Sequence, residues 1–384
     1  MKNSLIALSL CAFSLSATSA PTVVPDPPII GAKGYILMDY HTGAVLVEKN
    51  ADSTLNPASL TKLMTAYVAG QEVQTGNISL DDQVTISQRA WAKNFPDSSK
   101  MFIEVGTQVS LSDLYRGLVV QSGNDASVAI AEHVAGSEDG FVSLMNSWAN
   151  KLGLTNSSFS NPHGLDSDEL YSTPRDIATL SQAIIRDLPD IFPLYSEQSF
   201  TYNGITQYNR NGLLRDPSLN VDGMKTGYTS GAGYSLATSA TNGEMRLISV
   251  VMGSNSTKSR ESESKQLLSY GFRFFETVTP TKAGDPLSSV KVWMGDKNDL
   301  EVGVKEDVYL TLSKSELSDL QAQIEIASEL EAPIHAGDKL GNVIYMAGEK
   351  EVARADLVAL ADVEQGGILK RLWDWVQRLV LSWF

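Results

Sequence analysis

The sequence predicts an α+β domain with helices on an antiparallel sheet, followed by a small all-β domain and a C-terminal amphipathic helix. Strand-like runs stand on both sides of a helical block up to about residue 275, and short strand-like runs follow to about residue 363. Residues 366–384 carry apolar side chains at helical spacing. The length of 384 residues allows two domains that each bury a core.

The N-terminus has the pattern of a secretory signal. Lys2 precedes an apolar run from Leu5 to about Leu15, and small residues end at Ala20, where we predict cleavage. The only cysteine, Cys11, lies in this run, so the mature chain would have neither disulfides nor thiolate chemistry. The formal net charge of −15 argues against a nucleic-acid partner, because phosphate binding requires an excess of Lys and Arg.

The first half of the α+β domain begins with a hairpin and continues with helices. Residues 35–50 predict a hairpin that turns near His41 to Gly43. An amphipathic helix follows, which starts at Pro57. Its apolar stripe is formed by Leu60, Leu63, Met64, Tyr67 and Val68. A second helix has Ser112 as its predicted N-cap, and two further helices are predicted within 124–136 and 139–154.

From Gly223 the pattern changes to strands. Three strands are predicted, and Asn242-Gly243 joins the last two in a hairpin. A helix from about Arg260 to Phe275 completes the unit, and a Pro- and Gly-containing linker leads to the second one. The predicted organisation is a signal peptide at 1–20, an α+β catalytic domain at 21–280, a β-rich domain at 281–364 and a terminal helix at 365–384.

Ser59 and Lys62 stand three residues apart at the start of the first helix and therefore share a helix face. A lysine amine in that position can remove the proton of the serine hydroxyl if its pKa is lowered. The same spacing recurs at Ser262 and Ser288, so the pair alone is weak evidence. Only Ser59 combines the spacing with a helix start beside an apolar stripe.

Two further motifs follow in the chain. Ser122-Gly123-Asn124 falls between two predicted helices, and Lys225-Thr226-Gly227 falls on a predicted strand. Each alone is better explained as an ordinary loop or strand end. Together with Ser59 and Lys62, in this order, they form the motif set of β-lactamases and penicillin-binding proteins.

On these motifs the chain resembles the low-molecular-mass penicillin-binding proteins, which are serine-type D-alanyl-D-alanine carboxypeptidases. The segments 161–166, 171–178 and 271–276 and the C-terminal helix add to the resemblance. It implies a penicillin-recognising transpeptidase/β-lactamase-like first domain, removal of the terminal D-alanine from peptidoglycan pentapeptides ending in D-Ala-D-Ala, and binding of β-lactam antibiotics. Tyr228 departs from the pattern, because the family often has His directly after Lys-Thr-Gly.

The resemblance also implies roles for the catalytic residues, which are Ser59, Lys62, Ser122, Asn124 and Lys225. Ser59 forms the acyl-enzyme, and burial together with the cation of Lys225 lowers the pKa of Lys62. Ser122 relays a proton to the leaving amine, and Asn124 either holds the substrate's carbonyl or orients Lys62. The backbone N–H groups of Ser59 and Tyr228 form the oxyanion hole, so we expect Tyr228 to alter specificity or rate rather than abolish the chemistry.

The terminal carboxylate of the substrate needs its own recognition site. The candidates are Lys225, Thr226, Gly227, Arg260 and Arg210. A guanidinium favours bidentate contacts with a carboxylate. A solvated charge explains Arg260 equally well, and a structural loop contact explains Arg210 equally well.

No metal or other cofactor is expected. The four histidines, His41, His133, His163 and His335, match no metal-ligand spacing. His163 lies in a loop that falls beside the nucleophile in the family, but a surface position is the favoured interpretation.

Two alternatives stay open. A serine β-lactamase shares the motifs but needs a deacylating Glu, and the loop 160–176 carries Asp166, Asp168 and Glu169 without the Glu-x-x-Leu-Asn signature of that class. A low-turnover β-lactam sensor or wall-binding scaffold could also keep these residues.

The C-terminal helix predicts attachment to a membrane surface. Its apolar side holds Ile368, Leu369, Leu372, Trp373, Val376, Leu379, Val380 and Trp383, and its polar side holds Lys370, Arg371, Gln377 and Arg378. A short, charged, Trp-rich helix suits the headgroup boundary rather than the bilayer interior. Docking on its own protein is less favoured, because Gly366-Gly367 is expected to detach the helix. The expected location is the periplasmic face of the bacterial inner membrane.

Overall fold

The computed structural model describes residues 24–326 and 329–381. The predicted signal segment with Cys11, and Trp383, lie outside the described residues. The first part of the chain contains β1 (Gly34–Asp39), β2 (Val45–Lys49), α1 (Thr61–Gln74), β3 (Gln83–Thr85), β4 (Gln108–Ser110), α2 (Leu111–Val119), α3 (Asn124–Ala135), α4 (Glu138–Lys151), α5 (Pro174–Asp187), β5 (Ser199–Tyr202), β6 (Ile205–Tyr208), β7 (Asn220–Thr229), β8 (Gly233–Asn242), β9 (Met245–Ser254) and α6 (Thr257–Phe274).

A five-stranded antiparallel sheet in the order β2-β1-β9-β8-β7 forms the centre of this part. Helix α5 packs on one face of the sheet and α6 on the other. The central strand β9 therefore buries both faces: Ile248 and Val250 join the core on the helical side, whereas Leu247 and Val251 join the core under α6. Both predicted hairpins are confirmed, at β1–β2 and at β8–β9.

Helix α1 is not amphipathic, contrary to the prediction from its apolar stripe. Every residue from Thr61 to Gly70 is buried, because α1 runs through the middle of the helical layer and contacts α2, α3, α4 and α5. A helix that is enclosed on all sides needs no polar face. The consequence for the chemistry is that Lys62, in its first turn, lies out of contact with water.

Three predicted helix starts are displaced. Helix α1 begins at Thr61 and not at Pro57, because a separate 3₁₀ turn, Ala58–Leu60, precedes it. The N-cap of α2 is Ser110, whose Oγ accepts a hydrogen bond from Asp113 N at 3.1 Å, and not Ser112. Ser112 Oγ instead accepts from Arg116 Nη1 within the helix. Helix α6 begins at Thr257, three residues before the predicted start, because Ser256 caps it.

The second part is β-rich, as the sequence predicts, with one short helix. Its elements are β10 (Phe275–Thr281), β11 (Ser288–Trp293), β12 (Asp299–Gly303), β13 (Val308–Ser313), α7 (Lys314–Leu317), β14 (Leu320–Ile326), β15 (Leu330–Glu331), β16 (Lys339–Ala347) and β17 (Lys350–Ala359). Six strands form a sheet in the order β14-β16-β17-β12-β11-β15, and β10 pairs with β13. Val302, Val343 and Tyr345 belong to its separate core.

The β1–β2 turn connects the two parts of the chain. Asp39 is fully buried there, and its Oδ2 accepts a hydrogen bond from Thr277 Oγ1 of β10 at 2.6 Å. In the same turn the ring of His41 stacks on Tyr309 of β13, with centroids 4.4 Å apart and an interplanar angle of 16°. A buried carboxylate contact and a ring stack thus fix the β-rich part against the sheet that carries the site.

Helix α8 (Ile368–Leu381) docks on the β-rich part, so the expectation that Gly366-Gly367 detaches it is wrong. Asp374 is 2% exposed, and its Oδ2 accepts from Met294 N at 2.7 Å. Four residues on, Arg378 pairs with Glu329 at 2.9 Å and with Glu331 at 2.8 Å. The part of the polar side that carries Asp374 and Arg378 therefore faces the protein.

The apolar side of α8 faces outward. Its exposed side chains are Ile368, Leu369, Leu372, Trp373, Trp375, Val376, Leu379 and Val380. Within the described ranges, no helix is both long and apolar enough to cross a membrane.

Candidate active site

A cavity of about 880 Å³ lies where the start of α1, the α2–α3 turn and β7 meet. All three motifs reach it: its lining includes Ser59, Ser122, Asn124, Thr226 and Gly227. Lys62 and Lys225 lie directly behind this lining and are buried. The fold therefore brings the sequence-predicted motifs together in one concave site.

Ser59 stands in a single 3₁₀ turn, Ala58–Leu60, immediately before α1. Asn56 fixes the backbone before this turn, because its Oδ1 accepts a hydrogen bond from Ala58 N at 2.8 Å. Ala58 itself adopts a φ of +48°. Such a backbone conformation is strained for a residue with a side chain and is typical of functional sites. It leaves Ser59 half-buried at the cavity wall, where a substrate can reach the hydroxyl.

Lys62 Nζ has three oxygen neighbours. It donates to Ser59 Oγ at 3.2 Å, to Asn124 Oδ1 at 2.7 Å and to the backbone oxygen of His163 at 2.5 Å. The last two can only accept, so a neutral amine keeps its two N–H groups on them and directs its lone pair at the serine hydroxyl. Asn124 therefore orients Lys62, and its Nδ2 is held by Ser98 Oγ at 3.0 Å.

Burial and, to a smaller extent, the positive charge of Arg210 lower the pKa of Lys62 to about 7, while the charge of Asp125 opposes the shift. The second cation is thus Arg210 rather than Lys225, which the sequence predicts. The pKa of Lys225 is itself lowered well below its ordinary value, first by burial and next by the charge of Lys62.

The loop after α4 closes the site from behind. His163 is buried rather than on the surface, and its backbone oxygen holds Lys62. Thr65 Oγ1 of α1 donates to Pro162 O at 2.6 Å, which fastens the same loop. Gly164 has a φ of +85°, and a Cβ there would lie 1.9 Å from Ala58 O, so only glycine fits. This glycine is a sequence signal for the close approach.

Ser122 occupies the turn between α2 and α3 with a φ of +61°. Its Oγ accepts from Lys225 Nζ at 2.8 Å, and Lys225 also donates to Thr226 O at 3.1 Å.

Asp125 holds the start of α3, and the sequence analysis does not predict this role. Its carboxylate accepts from four backbone N–H groups, those of Met101, Phe102, Ile103 and Ala126. An Asp in the first turn after Ser-x-Asn is the signal that could have identified it.

Arg260 is not a solvated charge, since it is 5% exposed. Its Nη1 donates to Gly227 O at 3.2 Å, and its Nε is buried without a hydrogen-bond partner. Arg210 also lines the cavity and forms neither a hydrogen bond nor an ion pair with any residue in the described part of the chain. Both guanidinium groups are placed for a ligand of negative charge.

The end of β7 lies directly against the turn that holds Ser59. A Cβ on Gly227 would lie 2.9 Å from Pro57 O, so the glycine permits this approach. Tyr228 follows on the same strand, and its ring is 52% exposed. It packs on Tyr234 of β8 with centroids 4.4 Å apart.

Comparison with known proteins assigns a family to this arrangement. The family model described as D-alanyl-D-alanine carboxypeptidase matches residues 21–256. A second model, described as Penicillin-binding protein 5, C-terminal domain, matches residues 275–365. Together the two matches cover most of the chain.

Individual relatives belong to the same family as these two models. D-alanyl-D-alanine carboxypeptidase DacA of Escherichia coli (strain K12) is 47% identical over 393 residues, which cover 100% of this chain and 98% of the relative. DacA of Haemophilus influenzae is 49% identical, with 98% of this chain and 96% of the relative covered. The crystal structure of penicillin binding protein 5 from Haemophilus influenzae has a TM-score of 0.83 at 49% identity and covers 89% of this chain and 100% of its own. By sequence, fold and motif placement, this chain belongs to the D-alanyl-D-alanine carboxypeptidase family of penicillin-binding proteins.

Proposed function

We propose that this protein is a serine-type D-Ala-D-Ala carboxypeptidase that removes the terminal D-alanine of peptidoglycan pentapeptides through an acyl-enzyme on Ser59. The observation that carries this proposal is the arrangement around Lys62, whose two pure acceptors direct its free electron pair at Ser59 Oγ. A pKa of about 7 keeps a large share of Lys62 in the base form at neutral pH.

Acylation begins when Ser59 Oγ attacks the carbonyl carbon of the penultimate D-alanine and its proton moves to Lys62 Nζ. The carbonyl oxygen becomes an oxyanion, which the backbone N–H groups of Ser59 and Tyr228 bind. Loss of one such donor typically costs about 3 kcal/mol in the barrier. Gly227 supports this arrangement, because it lets β7 approach the Ser59 turn.

The carbon–nitrogen bond then breaks, and the leaving amine needs a proton. Ser122 Oγ gives its own and is reprotonated by Lys225, which donates to it at 2.8 Å. The incoming carboxylate favours the charged form of Lys225 that this step needs. Water then attacks the ester carbonyl on Ser59, and one of its protons passes through Ser122 Oγ to the neutral Lys225. As the ester bond breaks, Lys62 returns its proton to Ser59 Oγ, and the shortened peptide leaves as a carboxylic acid that ionises in water.

The free carboxylate of the terminal D-alanine is bound by Arg260 with Thr226, Gly227 and Lys225, and Arg210 adds positive charge. The position of Arg260 in the cavity lining supports this role, since a guanidinium there can present N–H groups to a carboxylate. Penicillin carries a carboxylate and a reactive carbonyl of the same kind, so the same groups bind it and Ser59 is acylated by it.

A β-lactamase activity has less support. The carboxylates that line the cavity are Asp97 and Asp166, and Asp166 is held by Asn56 Nδ2 at 2.8 Å. Asp168 and Glu169 do not line the cavity. A deacylating base would have to face the acyl-enzyme and be free to hold water.

The deciding experiment incubates the purified protein with a pentapeptide ending in D-Ala-D-Ala and measures free D-alanine. Sustained release supports the carboxypeptidase. A single turnover per protein would instead support a low-turnover sensor or scaffold. Rapid hydrolysis of penicillin in a parallel assay would support the β-lactamase.

We also propose where this protein lies in the cell. The exposed apolar side of α8 lies on the outer surface of the bacterial inner membrane, with the protein on the periplasmic side after removal of the signal peptide. An outward-facing row of Leu, Val and Trp side chains supports this placement, because such residues favour the headgroup boundary. The β-rich part, which begins with β10 at Phe275 rather than at the predicted residue 281, would then lie between the membrane and the catalytic part.

A further inference from the structure

The guanidinium of Arg260 has little to offset its charge. It is 5% exposed, makes one hydrogen bond, to Gly227 O at 3.2 Å, and leaves Nε unpartnered. No carboxylate within the described ranges forms an ion pair with it. Burial lowers its pKa, the charge of Glu261 opposes this shift in part, and the nearby charge of Arg210 adds to it. A charge enclosed in this way requires another source of stabilisation.

Tyr234 supplies an aromatic face at this point. The guanidinium carbon of Arg260 lies 5.8 Å from the centroid of the Tyr234 ring, within the range of a cation–π interaction. Tyr228 pairs with Tyr234 across the β7–β8 ladder, and its ring packs on the Tyr234 ring at 4.4 Å and 31°. Both tyrosines line the cavity.

We propose that Tyr234 is a positioning residue for the carboxypeptidase reaction, whose ring face holds the Arg260 guanidinium in the cavity and is itself held by Tyr228. This inference rests on the proposed function, since it assigns Arg260 to the terminal carboxylate of the substrate.

An aromatic partner suits this task better than an acidic one. A carboxylate neighbour would occupy the N–H fork of the guanidinium, which is the group that must bind the substrate. A ring face stabilises the charge and leaves those donors free. The adjacent carboxylate, Glu261, is directed elsewhere, because its Oε1 accepts from Gly212 N at 3.1 Å.

The test compares two substrates in the full-length protein. One is a peptide ending in D-Ala-D-Ala, and the other is an acyl-D-alanine thioester whose leaving group carries no charge. Tyr234→Leu removes the ring and is expected to lower kcat/KM on the peptide by about fivefold to thirtyfold, mainly through KM. Its kcat/KM on the thioester is expected to stay within about twofold of wild type. Tyr234→Phe keeps the ring and should retain activity on both substrates.

A double-mutant cycle separates positioning from structure. In the Arg260→Ala background, Tyr234→Leu should cause no further loss, because the residue through which it acts is gone. Tyr208→Leu is the matched control, since Tyr208 is 69% exposed and lies outside the cavity lining. Equal losses on peptide and thioester, or losses that multiply in the double variant, would overturn the inference.

Two further outcomes are distinguishable. A wild-type protein that releases no D-alanine would overturn the proposed function and this inference with it, whereas an active wild type with equal losses overturns the inference alone. If Tyr234→Leu fails to fold, Tyr234→Met gives the answer, because it keeps most of the side-chain volume but has no ring face. It should produce the same selective loss on the peptide, and equal losses on both substrates contradict the inference.

Discussion

Lys62 Nζ lies 3.2 Å from Ser59 Oγ, and its other two hydrogen bonds go to oxygens that carry no proton. Of the three oxygen neighbours of Lys62 Nζ, only Ser59 Oγ carries a proton, so the neutral amine can accept a proton only from Ser59. The Ser262 and Lys265 pair has the same spacing but no such enclosure: Ser262 is exposed, and Lys265 pairs with Asp216 at 2.6 Å.

Ser59→Ala should therefore abolish both labelling by penicillin and release of D-alanine, a loss of at least about 10³-fold in rate. Labelled penicillin on a denaturing gel and a D-alanine assay measure the two effects. Ser262→Ala is the matched control and should leave both unchanged. An active Ser59→Ala variant would remove the basis of the proposed function.

The rate of acylation should depend on pH through Lys62. The amine acts as a base only without its proton, and its pKa is lowered from 10.5 to about 7. Below pH 7 the protonated form dominates, so the acylation rate should fall about tenfold per pH unit, and above pH 7 it should level off. Stopped-flow acylation by penicillin between pH 5 and 9 measures the profile. A rate independent of pH across this range would assign the base role to another group.

Arg210→Gln tests the origin of that shift. Loss of the nearby cation should raise the pKa of Lys62 and move the whole profile to higher pH, with a severalfold loss of rate at pH 7. Arg273→Gln removes an equal charge from an exposed position on α6 and serves as the control. A profile that changes in height without moving along the pH axis would limit Arg210 to binding substrate.

Arg260→Ala should weaken recognition of the terminal carboxylate. We expect a loss in kcat/KM on D-Ala-D-Ala peptides equivalent to roughly 1.5 to 3 kcal/mol, the typical value of a hydrogen bond to a charged group. Activity on a thioester with an uncharged leaving group should change little, since it offers no carboxylate. Steady-state kinetics on the two substrates measure the difference, and equal losses on both would give Arg260 a structural role.

Sequence patterns predict some of these contacts and not others for physical reasons. Ser59 and Lys62 lie close because their spacing places them on one helix face, and the β8–β9 hairpin follows from Asn242-Gly243. The bond from Lys62 to the His163 backbone could not be predicted, because a backbone oxygen has no identity in the sequence. Nor does periodicity reveal that Asp374 is buried, since a polar helix face looks the same whether it meets water or protein.

Gly164→Ala should disturb both stability and acylation. The new Cβ would clash with Ala58 O, next to the nucleophile, in addition to the strain of an alanine at φ +85°. We expect a loss of more than about 1 kcal/mol in the free energy of unfolding. Gly153→Ala separates the two effects, because Gly153 has a φ of +74° and open space around its Cβ position. Thermal unfolding and penicillin acylation of both variants measure the outcome, and equal effects would mean that the contact with Ala58 contributes nothing.

Deletion of residues 366–384 should release the protein from membranes and leave its chemistry intact. The apolar side of α8 faces outward while Asp374 and Arg378 hold the polar side on the β-rich part, so the helix presents Leu and Trp side chains without rearrangement. Hydrolysis of a soluble pentapeptide should be unchanged, because no residue of α8 lines the active-site cavity. Trp373→Glu should weaken vesicle binding strongly, whereas Gln377→Glu adds the same charge at a less exposed position on α8 and should weaken it only slightly. Sedimentation with anionic vesicles measures both variants. A truncated protein that still sediments with membranes would show that another surface attaches it.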